Sequence, residues 1–216
     1  MNEVKKGRRA RSRATRKAII AAAHIEFADH GFHGATIAAI AERAAVAPQT
    51  IYFVFNTKAN LISAVIDSAV MGADDDPLPP QAQPWWHTML EEPDAVRSLQ
   101  LFVRGAGPAF ARASTIGEVL AAAARTDDEV KETFEHHENL RREAFGQVLD
   151  SLATKGNLRS DISRNQLLDV FLVVYSDATY HVLTAEMGWP HEQVMDWLCT
   201  DLPPLLLVPM KKGSRQ

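Results

Sequence analysis

Residues 36–58, TIAAIAERAAVAPQTIYFVFNTK, constrain the fold more tightly than any other part of the chain. Ile37, Ile40, Ala41 and Ala44 fall at i, i+3, i+4 and i+7, which lays one apolar stripe along a short helix. Thr36 precedes the stripe, with a hydroxyl suited to accept a hydrogen bond from a first-turn amide. Ala45 and Val46 form the turn: a small residue where two helices meet, then an apolar plug. Pro48 suits the first turn of a second helix, predicted over residues 48–53, because its missing N–H has no intrahelical partner there. Two short helices joined by a tight turn make a helix-turn-helix, whose second helix enters the DNA major groove. Ile37, Ile40, Ala41, Val46, Ile51 and Phe55 are assigned to the core. Gln49, Thr50, Tyr52 and Phe53 are left to face DNA. Gln49 suits an adenine edge, Thr50 a phosphate or a thymine methyl, and Tyr52 a phosphate.

Phe32-His-Gly-Ala-Thr36, Ile40-Ala-Glu-Arg-Ala44, Thr50-Ile-Tyr52 and Phe55-Asn-Thr-Lys58-Ala-Asn-Leu61 together resemble the N-terminal domain of TetR-type transcriptional regulators. The resemblance covers residues 15–65, roughly a quarter of the chain, and rests on the combined spacing. It implies an all-α protein: a three-helix DNA-binding domain followed by a helical domain for effector binding and dimerisation. It also implies a homodimer formed through the last two helices, a double-stranded DNA operator and a small-molecule effector. Lys58 matches the family's phosphate-contacting lysine, and Phe32 its structural aromatic. Two positions depart from the pattern. Ala47 stands where a capping Ser or Thr is usual, and Val54 where a His or Tyr often reaches phosphate, so affinity is expected to lean more on basic residues elsewhere.

Those basic residues are at the N-terminus. Residues 1–60 hold ten Lys+Arg against four Asp+Glu, net +6, whereas residues 61–216 hold thirteen against twenty-three, net −10. Such a split is expected where one end meets a polyanion. Residues 1–14 are predicted to be a disordered arm whose cations, Arg11 and Arg13 among them, lie along phosphates or reach a minor groove. Residues 15–60 follow as the DNA-binding domain, with a first helix at 15–30 that buries Ile19, Ile20, Ala23 and Phe27 and stops at Gly31. Its neighbour His33 is given a surface position only.

Residues 61–208 are assigned to the effector-binding and dimerisation domain, and 209–216 to a tail. The helix opened by Lys58 is predicted to run to Met71. Asp74-Asp-Asp-Pro-Leu-Pro-Pro then sets a loop over residues 72–84. Helices are expected at 85–91, from about 94 to a break at Gly105-Ala-Gly-Pro108, at 110–125, 128–155, 164–187 and 190–202. The 164–187 helix is apolar on more than one side and needs neighbours on both. Trp86, Phe102, Phe110, Phe134, His137, Tyr175 and Tyr180 are the candidate effector contacts, since such sites are concave and largely apolar or aromatic.

The composition, 46% hydrophobic and 23% charged, is that of a globular protein. Cys199 stands alone, which excludes an internal disulfide and a cysteine-rich zinc site. No HExxH, glycine-rich phosphate loop or G-x-S-x-G occurs, so no cofactor, metal or enzymatic activity is expected. Apolar runs fall short of the roughly 20 residues that span a bilayer, and neither a signal peptide nor a membrane partner is expected. The protein is expected to be cytoplasmic. The sequence therefore favours a ligand-responsive DNA-binding repressor. The alternatives are a non-specific or architectural DNA-binding protein without effector, and a helical binding module or enzyme whose N-terminal domain has lost its DNA function.

Overall fold

The computed structural model describes residues 2–72, 78–156 and 158–208. They form helices and turns, with a single isolated antiparallel bridge, Leu158 to Leu207, and no longer strand among them. The acidic run Asp74–Asp76, Asn157 and the tail from 209 lie outside the described residues. The chain divides into two units, Met1–Pro77 with Thr115–His136, and Leu78–Ser114 with His137–Gln216.

In the first unit, α1 spans Asn2–Gly34 and is interrupted at Gly31, where φ is +66°. The backbone is thus helical through the stretch expected to be disordered. Lys, Arg and Ala are strong helix formers, and no proline interrupts them before Ile19. Ile19, Ala22, Ala23 and Phe27 fill its buried face. Helix α2 (Ile37–Arg43) starts at Thr36, whose hydroxyl accepts the Ala39 N–H at 3.1 Å. It closes in a Schellman turn: Val46 N–H reaches Ala41 C=O and Ala45 N–H reaches Glu42 C=O. Ala45 takes the left-handed position, φ +53°, where glycine is usual.

Helix α3 (Pro48–Phe55) runs one half-turn beyond its predicted end and has no side-chain cap at Ala47. Asn56 follows at φ +63°, ψ −56°, closed by Thr57 N–H to Phe55 C=O at 2.7 Å. This is a γ-turn of the rare, strained kind. Thr57 then caps α4 (Lys58–Met71), accepting the Asn60 N–H at 3.1 Å. Ile116, Leu120, Ala123 and Val130, from two later helices, complete this unit's core.

Glu26 is 5% exposed and is held by Arg43 at 2.7 Å, tying α1 to α2. Removing the guanidinium leaves a buried carboxylate short of its partner. Because Arg43 is itself half-exposed, Arg43→Ala is expected to cost about 1–2 kcal/mol rather than the full cost of breaking a buried pair. Thermal melts followed by far-UV circular dichroism check this. Glu26→Gln in the same background should recover part of the loss.

The second unit holds α5 (Pro84–Glu91), most of α6 (Ala95–Ala123) and the larger part of α7 (Asp128–Thr154). It continues with α8 (Arg164–Val174), α9 (Asp177–His181), a π-helical turn Val182–Glu186, α10 (His191–Asp201) and α11 (Pro203–Leu206). The break expected in α6 does not occur. A Cβ on Gly105 would lie 2.5 Å from the Trp85 ring and one on Gly107 2.8 Å from Met195 Sδ. Those glycines therefore serve close packing rather than a turn, and Pro108 is carried inside the helix.

The single helix expected at 164–187 is broken at Tyr175, φ −98°, ψ +67°. Ser176 caps the new start by accepting the Thr179 N–H, and Arg141 donates to the carbonyls of Leu172 and Tyr175 at 3.2 Å. By length and composition alone Arg164–Glu186 is apolar enough to cross a membrane, a test that the core helix of a soluble protein also passes. Here it is kinked, and Leu167, Leu168, Phe171 and Leu172 pack into this unit's core. Past the prolines, Leu206 and Leu207 are buried, and Arg159 N–H bonds Leu206 C=O at 3.0 Å.

Candidate DNA interface and candidate ligand site

Ile51 and Phe55, four residues apart, anchor one side of α3 in the core. The opposite side carries Gln49, exposed, Tyr52 at 53% and Phe53 at 88% exposure. Thr50 is half-buried. Phe53 is the most exposed of the large hydrophobic side chains among the described residues. Thr36 spends its acceptor lone pair on the α2 amide, which leaves its hydroxyl hydrogen available to a phosphate. Arg11 and Arg13 are exposed along α1.

Lys58 is folded back over Phe32, with Nζ 4.7 Å from the ring centroid. Burial lowers its pKa, and the Asp127 carboxylate pulls the other way. Phe32 in turn stacks on Phe27 at 5.8 Å. Arg16 covers Phe55 in the same fashion, 4.6 Å from its centroid. His33, given only a surface position from sequence, makes a hydrogen bond with Thr126 Oγ1 at 3.2 Å. No local motif announces that contact, because its partner is 93 residues away.

Five of the seven residues proposed for effector contact come together in the second unit. Phe102 stands edge-on to Trp86 at 6.3 Å and tilted against Tyr175 at 5.6 Å. Phe110 stacks on Tyr175 at 4.4 Å and edges Tyr180 at 4.9 Å. Phe145 and Phe171, not among the seven, fill the remaining sides. Tyr180 OH makes a 3.0 Å hydrogen bond with His191 Nδ1, a pairing between two helices that no local motif signals. The Tyr175 hydroxyl is fully buried and meets no hydrogen-bond partner among the described residues, and burial pushes its pKa well above the usual range. His137 is half-buried on α7. Phe134 packs instead on the core of the first unit, apart from these rings.

A shallow depression of about 450 Å³ also opens between α7 and α8, lined by Arg142, Gly146, Asp150 and Arg164. Its arginines are engaged, Arg142 with Asp169 at 2.8 Å and Arg164 with Asp150 at 2.7 Å. Among the described residues, no group of three or more His, Cys, Asp or Glu is placed to hold a metal ion.

Residues 19–65 match the family profile of bacterial regulatory proteins, tetR family. No curated protein sequence matches the chain significantly. Among solved structures, one from Rhodococcus sp. assigned to the TetR-family transcriptional regulators superposes with a TM-score of 0.67 at 15% identity, covering 89% of this chain and 98% of that one. The regulator FadR from Bacillus subtilis, in complex with stearoyl-CoA, gives 0.63 at 15% identity, covering 85% and 97%. A transcriptional regulator from Saccharomonospora viridis, in complex with choline, gives 0.64 at 15% identity, covering 90% and 98%.

Proposed function

The chain carries the N-terminal domain of the tetR family on the fold of TetR-family regulators, and from that premise we propose that it is a ligand-responsive, dimeric DNA-binding repressor. Two copies of α3 read the half-sites of a near-palindromic operator in the cytoplasm, and a small effector releases them. The observation that carries this reading is the bare outer side of α3, where Gln49, Tyr52 and Phe53 stand clear of a well-anchored core. Gln49 and Phe53 supply base-edge contacts; Thr36, Tyr52 and Lys58 supply phosphate contacts, with Arg11 and Arg13 adding charge. Exposed Val173 and Met187 support pairing of two copies through the 164–202 region.

The effector is assigned to the ring cluster around Tyr175. By linkage it weakens DNA binding only as far as it prefers the conformation that does not bind. Stearoyl-CoA and choline, bound by two proteins of this fold, differ so widely in chemistry that the fold leaves effector identity to the individual side chains.

Selection from a random duplex pool near physiological salt tests the reading, and a two-fold symmetric site is the expected product. Lys58→Ala should reduce the magnitude of the salt slope by about 0.9 for the phosphate contact it removes. Recovery of unselected sequences with undiminished salt dependence would instead establish the architectural reading.

A further inference from the structure

Several irregularities meet at one place in the second unit. Helix α8 breaks at Tyr175, and a π-helical turn follows α9 at Val182–Glu186, a device frequent at functional sites. Helix α6 carries Pro108 two residues before Phe110, so the turn just before Phe110 lacks the backbone hydrogen bond to the Arg104 carbonyl. Phe110 is only half-buried, yet its ring covers Tyr175. The ring it covers carries a buried hydroxyl that has no hydrogen-bond partner among the described residues. A buried hydroxyl without a partner is destabilising, and natural proteins rarely keep one without a use for it.

We infer that Tyr175 is the hydrogen-bond donor to an uncharged, flat aromatic effector bearing an acceptor oxygen, which takes the place now held by the Phe110 ring. This deepens the effector-responsive reading above and rests on it. The flat shape follows from the occupant it replaces, a ring stacked on Tyr175 with Tyr180 set edge-on. The acceptor follows from the hydroxyl. Burial keeps that phenol protonated, so it has a hydrogen to give. Lack of charge follows from the neighbours. Arg141, the cation that bonds the Tyr175 carbonyl and lies over the Phe145 ring, is already paired with Glu138 and with two backbone carbonyls. An anion would have to break those pairs, and a quaternary cation would leave the hydroxyl unserved.

The test uses the full chain and prodan, a neutral naphthyl ketone whose emission moves to longer wavelength when its carbonyl accepts a hydrogen bond. Benzyltrimethylammonium and decanoate serve as charged comparators. Wild type should bind prodan with the hydrogen-bonded emission. Tyr175→Phe should bind roughly five- to tenfold more weakly, with emission at shorter wavelength, while its free form melts no lower than wild type. Phe110→Ala should bind prodan more tightly, since no ring need be displaced.

If Tyr175→Phe binds with unchanged affinity and emission, the hydroxyl serves another purpose, such as a buried water, and the inference is overturned. Binding of either charged comparator in preference to prodan overturns it equally. Repeating the titration with a selected duplex separates the two levels of the argument. A prodan signature without sequence-selected DNA binding would sink the regulator reading and leave the site intact.

Discussion

Phe171→Ala is expected to lower the stability of the second unit by about 3–5 kcal/mol, the range for deleting a phenylalanine from a well-packed core. Phe171 is fully buried on α8. Its ring lies 4.5 Å from Phe145, 5.6 Å from Phe102 and 6.5 Å from Tyr175. The substitution therefore removes both apolar burial and three aromatic contacts, two of them edge-on and one tilted, each worth about 0.5–1.5 kcal/mol beyond area alone. Partial collapse is resisted, because the neighbours are rings rather than flexible chains. All four tryptophans, Trp85, Trp86, Trp189 and Trp197, belong to this unit. Urea unfolding followed by tryptophan emission reads its stability directly. A loss under 1 kcal/mol would show that the cluster is loosely packed.

The second large effect separates the two sides of α3. Tyr52→Ala and Phe53→Ala should each weaken binding to a selected operator by about tenfold to a hundredfold, equivalent to about 1–3 kcal/mol. Neither should shift the melting transition noticeably, since both side chains stand in solvent. Ile51→Ala, one residue away and fully buried, should do the reverse in cause: it should destabilise the first unit by about 2–5 kcal/mol and lose DNA binding only through unfolding. Fluorescence anisotropy with a labelled duplex, alongside circular dichroism melts, distinguishes the cases. Operator affinity unchanged by both aromatic substitutions would remove α3 as the reading helix.

What the sequence made legible was local. Thr36, Pro48 and Thr57 mark helix starts through their own side chains, and Gly31 and Gly72 mark stops through their own backbones. Helix α4 accordingly spans Lys58–Met71, the limits its sequence indicates. What stayed hidden depends on distant partners. Gly105 and Gly107 read as a break until Trp85 and Met195 are seen against them. The break at Tyr175 was masked by an apolar spacing that runs straight through it. Ser176 followed by Asp177, a plausible cap and first-turn acid, was the one available sign. For the candidate ligand site, aromatic content alone gathered five of seven residues but misassigned Phe134 to the same neighbourhood. The orphaned hydroxyl of Tyr175 has no sequence signature, because it is defined by what fails to reach it.

Helices α6 and α7 each begin or end in a different unit from the rest of their length. Recombination between relatives has correspondingly little freedom. A chimera joined after α4 would take the reading head while leaving Ile116, Leu120, Val130 and Phe134 to another parent, whose side chains never adapted to this core. On the function proposed above, new pairings of operator and effector are therefore more accessible by point substitution on α3 and around Tyr175 than by exchange of whole heads. On that reading, inheritance of the two specificities is coupled through shared helices, even where the residues proposed to set them are far apart in sequence.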